Sequence, residues 1–443
     1  MEDTIAAVST PFGEGAIALI RVSGPVAISV AQTVFRGKCE PAQMASRHQY
    51  FGSIYDAEGK LDDVLLSIHR GPSSYTGEDV VEIACHGGLL VTRRILDLIL
   101  KSGARSAEPG EFTQRAFLNG KMDLTQAEAV MDLISAQTDL AMRAAHEQLE
   151  GRLGKRIEAM REQLLGLLAH VEAYIDFPDE DIDPDTGEVL RKRIEAVQEE
   201  LSALLATAAR GRILREGVRT VIFGAPNVGK SSLLNVLLGY ERAIVSATPG
   251  TTRDSIEEVI NLRGIPLRLI DTAGIRDSSD EIEREGIERT LREVGRADLV
   301  LHVEDASRPR SRETVAEPGK ELLVLNKADL GEDAGWKGAD AVRISCLRSE
   351  GLTQLEDAIS AKIFGGGATH RDWSVAINAR HQACLQTALK YAGAARTAFD
   401  EGLSPEFMAE ELRAALDAVG EVVGRVDTED LLGRIFSTFC IGK

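Results

Sequence analysis

The feature that most constrains this chain is a run at 220–223, Thr-Val-Ile-Phe, followed by Gly224-Ala225-Pro226-Asn227-Val228-Gly229-Lys230-Ser231. Residues 220–223 read as a strand and Ser232 to Leu238 as a helix, so a GxxxxGK[ST] pattern sits at a strand-to-helix turn. In that setting the N–H groups of the loop and of the first helical turn converge on one point, at the positive end of the helix, and hold a phosphate. Lys230 adds a cation for the terminal phosphates, and the Ser231 hydroxyl reaches Mg²⁺. A ligand-free glycine turn is the plain alternative, and the complete pattern in its proper context outweighs it.

Three further segments follow in order. A strand at 267–270 runs into Asp271-Thr272-Ala273-Gly274, where a carboxylate can hold Mg²⁺ through water and a glycine N–H can sense the γ-phosphate. A strand at 322–325 runs into Asn326-Lys327-Ala328-Asp329. Asp329 can accept two hydrogen bonds from guanine, whereas adenine would leave the carboxylate unpaired. Ser345 follows a strand at 342–344, where such domains close over the base. Together these predict a GTP site that also includes Val228 and Ser232. The residue after Gly274 is Ile275, where Ras-like proteins carry a water-orienting glutamine, so another group must position water. The loop Ser246-Ala247-Thr248-Pro249-Gly250-Thr251-Thr252 offers a threonine for Mg²⁺. With Asn227 it also offers enough oxygens for a monovalent cation, although Asn227 can equally be an ordinary turn residue.

At 443 residues the chain holds about three domains. Residues 1–118 mix short strands (17–22, 64–68, 80–84) with helices such as 89–100, an α+β pattern. Long helices take over in 119–212. Leu149, Leu153, Ile157, Met160, Leu164, Leu168, Val171 and Ile175 form one apolar stripe, and a second helix is predicted over 188–209. The α/β pattern occupies 213–370, and helices return in 371–443, at about 378–399, 405–423 and 429–439. That helical tail is too thin for a core of its own, so it is expected to pack on the helices of 119–212. The α/β domain would then be inserted into one helical domain.

A net charge of −19 argues against bulk attraction to nucleic acid or an anionic membrane. Five scattered cysteines fit neither a disulfide framework nor a zinc site. With no targeting or spanning segment apparent, a soluble cytoplasmic protein is expected.

The flanks extend the reading. Thr4-Ile5-Ala6-Ala7, Gly77-Glu78-Asp79, His86-Gly87-Gly88, Pro109-Gly110-Glu111-Phe112 and Arg115-Ala116-Phe117-Leu118-Asn119 lie ahead of the phosphate loop. Asp176-Phe177-Pro178, Asp430-Leu431-Leu432-Gly433-Arg434-Ile435-Phe436 and the ending Phe439-Cys440-Ile441-Gly442-Lys443 complete the set. With the nucleotide motifs, they make nearly the whole chain resemble the MnmE (TrmE) tRNA-modification GTPases.

The resemblance implies a multidomain fold: an N-terminal α+β folate-binding-type domain, a helical domain made of two chain segments, and an inserted Ras-like P-loop GTPase domain. It implies a homodimer joined through the N-terminal domains, a 5-formyltetrahydrofolate-type cofactor, and a partnership with an FAD-containing MnmG subunit. Together the partners would install a carboxymethylaminomethyl-type group at C5 of the tRNA wobble uridine.

By motif position, Arg21, Glu82, Lys121 and Lys443 would be folate contacts, although each reads alone as a salt bridge, a strand-end carboxylate or a frayed terminus. Asn227, Ser246, Thr248 and Thr251 fall at K⁺ positions, and Ser231 and Thr252 at Mg²⁺ positions. Glu283 matches the glutamate that orients water, against a default reading as a solvated charge. Cys440 is assigned a nucleophilic or redox role, against packing beside Phe436 and Phe439. A ribosome-assembly GTPase or a regulatory switch would share residues 220–364. The first would add a basic RNA-binding module, and the second would need no folate pocket or terminal cysteine.

Overall fold

A computed structural model describes residues 3–11, 13–176, 186–239, 258–270, 292–310, 319–364, 376–425 and 429–442. They form two compact units: residues 1–131, 154–158 and 419–443 in the first, and residues 132–153 and 159–418 in the second. Among the described residues, no helix is long and apolar enough to cross a membrane.

In the first unit the chain runs β1 Ile5–Val8, β2 Gly15–Ser23, α1 Ala27–Val34, β3 Phe35–Gly37, β4 Gln49–Asp56, β5 Gly59–His69, β6 Val80–Gly87, α2 Leu89–Lys101, β7 Arg105–Ser106 and α3 Glu111–Leu118. The strands form one sheet in the order β3-β4-β5-β6-β2-β1-β7, antiparallel except where β7 joins β1. Alternation sorts the two faces. Ile20 and Val22 of β2, Leu66 and Ile68 of β5, and Val81 and Ile83 of β6 share one core with Val30 of α1 and Ile95 and Ile99 of α2. The residues between them in sequence point the other way, and register places Arg21 opposite Glu82 and Glu82 opposite Ser67. A row of polar side chains is thereby fixed across three strands. Ile5 and Ala7 on that face are covered by Tyr75 and Phe112.

The end of the chain belongs to this unit. The last helix, Glu429–Phe436, sends Leu432 and Phe436 into a cluster with Phe439, Leu124 and Ala127. Ile441 then bridges Pro109 in strand fashion, and Ser9 Oγ donates to the Gly442 carbonyl at 3.0 Å.

Helices α4 Leu124–Ser135, α5 Asp139–Leu149, α6 Arg152–Asp176, α7 Thr186–Leu205 and α8 Ala208–Glu216 precede the second sheet. Leu153, Ile157, Met160, Leu164, Leu168 and Val171 are buried, as the stripe requires. The stripe is not one helix, however: Gly151, at φ +78°, turns the chain between α5 and α6. The helix predicted over 188–209 is likewise two. Thr207 Oγ1 donates to the Leu204 carbonyl at 2.7 Å, a local bond that competes with helical continuation. The helix Ala379–Asp400, which follows the second sheet in sequence, packs along α7, with Arg396 Nη2 3.1 Å from Glu195 Oε1.

The second sheet is built from β8 Val218–Phe223, β9 Glu258–Leu262, β10 Ile265–Leu269, β11 Leu299–Asp305, β12 Glu321–Asn326 and β13 Val342–Arg343, with helix α9 Lys230–Leu238 after β8. Its order is β13-β12-β11-β8-β10-β9, parallel except for the β9–β10 hairpin. All seven residues of β11 are buried, as a central parallel strand covered on both faces demands. Arg263 (φ +51°) and Gly264 (φ +88°) make the two-residue hairpin turn, the primed geometry that needs two left-handed residues. Strands β8, β11 and β12 end side by side at one edge, where open α/β sheets place their ligands.

Candidate functional site

Past the end of β8 the chain must turn back over the sheet edge, and two glycines make the turn possible. A Cβ on Gly224 would overlap the Val303 carbonyl, and one on Gly229 (φ +103°) would overlap Asn326 Nδ2. That second approach lets Asn326 Nδ2 donate to the Val228 carbonyl at 3.0 Å, while Asn326 Oδ1 accepts from the Cys346 N–H at 3.2 Å. One buried amide thus ties the phosphate loop to the segment after β13. Burial pushes the Cys346 thiol up to about 11, so that neighbour stays neutral. Lys230 Nζ donates to the Gly224 and Ala225 carbonyls at 2.8 and 2.9 Å, which holds its ammonium over the loop. Ser231 and Ser232 stand exposed on the first turn of α9.

On the base side, the Ala328 N–H donates to the Ile344 carbonyl at 3.1 Å, and Arg348 lies 3.8 Å from the nearly buried Asp329 carboxylate. Ser345 pairs with Glu350 through both backbone groups. Asn227, Val228, Gly229, Lys230, Asn326, Lys327, Asp329 and Ser345 therefore gather at one sheet edge. Reading the sequence missed one residue here. Asp305 closes β11 and receives Lys327 Nζ at 2.7 Å; its only sequence signal was a carboxylate ending the largely apolar run Leu299–Val303. Burial pushes the Asp305 carboxyl up, but bonds from Lys327 and Ser307 outweigh it and leave the group below its ordinary value.

Ser246, Ala247, Thr248, Pro249, Gly250, Thr251, Thr252, Asp271, Thr272, Ala273, Gly274, Glu283 and Lys443 lie outside the described residues.

The first unit carries a second group of predicted residues. Arg21 and Glu82 meet directly, with Nη2 and Nε at 2.7 and 2.9 Å from Oε1. The guanidinium also stands 5.4 Å from the centre of the Tyr75 ring and 5.8 Å from that of Phe112. His69 Nε2 approaches the other Glu82 oxygen at 3.6 Å. Tyr75 bonds Thr113 at 2.9 Å, and burial raises the phenol above its ordinary value. Tyr75, Phe112 and His69 were not predicted; the first two arrive through tertiary contacts that no local pattern announces. Lys121 does not join the pair. Its Nζ donates at 2.8 Å to the Pro72 carbonyl, on the loop that carries Tyr75. Cys440 is exposed, and its carbonyl accepts from the Gly110 N–H at 3.4 Å, two residues before Phe112. The arrangement sets a cation, a carboxylate and two rings together, a set suited to a flat heteroaromatic ligand with an acidic tail.

Comparison with known proteins covers both units. Residues 4–121 match the family model described as GTP-binding protein TrmE N-terminus, and residues 124–440 match that described as MnmE helical domain. The tRNA modification GTPase MnmE of Akkermansia muciniphila is 52% identical over 451 residues, covering 100% of this chain and 99% of that protein. Proteins of the same name from Natranaerobius thermophilus and Aquifex aeolicus are 47% and 46% identical, each with both chains covered in full. By these matches, the chain belongs to the MnmE family of tRNA modification GTPases.

Proposed function

We propose that this protein couples GTP hydrolysis to the remodelling of C5 of the tRNA wobble uridine, with a folate one-carbon unit and an FAD-containing MnmG partner. The observation that carries the nucleotide half is the close approach of Gly229 to Asn326, which joins the phosphate loop to the guanine-reading segment.

In this reading Lys230 and the loop N–H groups hold the phosphates, Asp329 reads guanine, and Ser231 with Thr252 holds Mg²⁺. Asn227, Ser246, Thr248 and Thr251 hold K⁺. Asn227 supports this reading to the extent that its carbonyl accepts from Lys327 while the residue lies at the surface, which leaves its side-chain oxygen able to face a cation. K⁺ would supply positive charge beside the phosphates. Glu283 orients the attacking water, the task Ile275 cannot perform. The residues of the first unit fit a folate. Arg21 and Glu82 suit the charged tail and the amino-pyrimidine edge, Tyr75 and Phe112 suit the ring, and Lys121 and Lys443 add cations for the tail carboxylates. Cys440 supplies a thiol on that side of the chain. A homodimer through the N-terminal domains completes the assembly.

The test is nucleoside mass spectrometry of tRNA from cells lacking this gene, with and without the gene restored. Loss of C5-modified wobble uridines that the intact gene reverses supports the reading. Unchanged nucleosides in a strain with no second copy would leave a GTPase acting elsewhere, with ribosome assembly next in line.

A further inference from the structure

Asp305 lies outside every motif that the nucleotide chemistry requires, yet it sits at their junction. Its side chain is only 4% exposed, so its charge must be met inside the protein. One oxygen accepts from Ser307, N–H at 3.0 Å and Oγ at 2.7 Å. The other accepts from Lys327 Nζ at 2.7 Å. The same ammonium donates to the Asn227 carbonyl at 2.7 Å, 100 residues away in sequence. The two residues that this bond joins both hold left-handed backbone, Asn227 at φ +64° and Lys327 at φ +61°, a conformation costly for lysine and tolerated better by asparagine. Neither is glycine, so tertiary contacts must hold each in place.

We propose that Asp305 is a positioning residue for the guanine nucleotide. By fixing the Lys327 ammonium on the Asn227 carbonyl, it sets the phosphate loop and the base-reading segment in one geometry before the ligand arrives. Binding then pays no cost to order either segment. Two effects of removing the carboxylate oppose each other. Losing Asp305 adds a net positive charge near a polyanion, which favours binding. It also frees a long flexible side chain from one of its two anchors. The Lys327 side chain is 31% exposed, so the added charge is partly screened by solvent and salt, whereas the lost bond is charge-assisted and made to a carboxylate that is only 4% exposed. Positioning therefore dominates.

Asp305→Asn keeps the shape and removes the charge. In the full-length protein, GDP and GTP affinities measured by calorimetry should fall about ten- to a hundredfold, the range for a lost bond to a charged group. KM should rise with them while kcat at saturating GTP moves far less. Lys327→Met should weaken binding by a similar factor. If Asp305 acts through Lys327, the double variant binds no worse than the weaker single variant. Unchanged or tighter binding in Asp305→Asn overturns the proposal, and so do single effects that multiply in the double variant. If Asp305→Asn fails to fold, Ser307→Ala removes only the hydroxyl that steadies the carboxylate, and about a three- to tenfold loss of affinity is expected. Wild-type affinity in Ser307→Ala would then overturn it.

Discussion

Replacing Arg115 with Met should loosen the N-terminal sheet. The Arg115 guanidinium has no exposed surface, and three carboxylates converge on it. Nη2 bonds Asp3 Oδ1 at 2.8 Å and Glu111 Oε1 at 2.9 Å, and Nη1 bonds the Asp3 carbonyl at 2.9 Å and Glu78 Oε1 at 3.2 Å. One side chain thus fastens Asp3 in the segment leading into β1, the loop before β6 and the first turn of α3. Met fills much of the volume and none of the charge. Breaking one partner of a buried ion pair costs about 3–5 kcal/mol. The lower end applies, because Arg105 stays on Glu111 at 2.6 Å and Asp3 is half exposed. About 3 kcal/mol raises the population of the opened state by a little over two decades. A chain of several domains does not unfold in one step, so amide hydrogen exchange of β1 and β2 is the assay. A change below about fivefold, or roughly 1 kcal/mol, would refute the reasoning. The pH dependence supplies a second check. Burial pushes the Glu111 and Asp3 carboxyls up, but bonds from Arg105, Arg115 and the Glu108 N–H prevail and leave both below their ordinary values of 4.5 and 3.8. Groups with depressed folded values contribute fully above the unfolded value and lose that contribution as pH falls. The gap between wild type and Arg115→Met should therefore narrow below about pH 4.

Further changes probe the second unit. Gly229→Ala places a Cβ onto Asn326 Nδ2 at φ +103° and should lower GTP affinity by about two decades or more, read by calorimetry. Gly264→Ala puts a Cβ 2.5 Å from Leu140 Cδ1 and strains the hairpin turn. It should lower stability by about 1–3 kcal/mol, and adding Leu140→Ala should recover part of the melting temperature. Glu283→Ala should retain GTP affinity and lose turnover by about a hundredfold; a large loss of affinity would make the residue structural. GTP turnover should be far faster in potassium than in sodium, and equal rates across protein concentrations would remove the cation from the mechanism.

The phosphate-loop half of the site was legible because its chemistry is local. Gly224 to Ser231 must be contiguous for their N–H groups to converge, so the sequence writes them contiguously. The strands ending at Phe223 and Asn326 were equally plain, because buried parallel strands are continuous apolar runs. Asp305 was not legible. A carboxylate after Leu299–Glu304 says nothing of Lys327, 22 residues on, until the parallel register sets Asp305 beside Asn326. Arg21 and Glu82 show the same limit. Each was assigned through resemblance, and only the pairing of β2 with β6 makes them neighbours. Helix ends failed for a different reason. Apolar periodicity continues through Gly151 and Thr207, while a left-handed glycine and a side-chain bond to Leu204 end the helices.

The chain end separates shape from chemistry. The packing place under the last helix, the alternative reading of Cys440, is filled by Phe436 and Phe439, and Cys440 is exposed. Among the described residues, the tail docks through the Cys440 carbonyl on the Gly110 N–H, the Ile441 bridge to Pro109 and the Gly442 carbonyl on Ser9. Gly442, in contrast, is required by shape: at φ +94° it lies so close that a Cβ would overlap the Val8 carbonyl. Two substitutions then divide the possibilities. Cys440→Ser should leave hydrogen exchange in β1 and α3 unchanged, as surface substitutions stay within about 0.5 kcal/mol. It should nonetheless abolish the C5-modified nucleosides if the thiol reacts. Gly442→Ala should release the tail, seen as faster digestion from the C-terminus, and lower the nucleosides with the thiol intact. If Cys440→Ser supports full modification while Gly442→Ala does not, the tail acts by docking alone and the thiol has no chemical part.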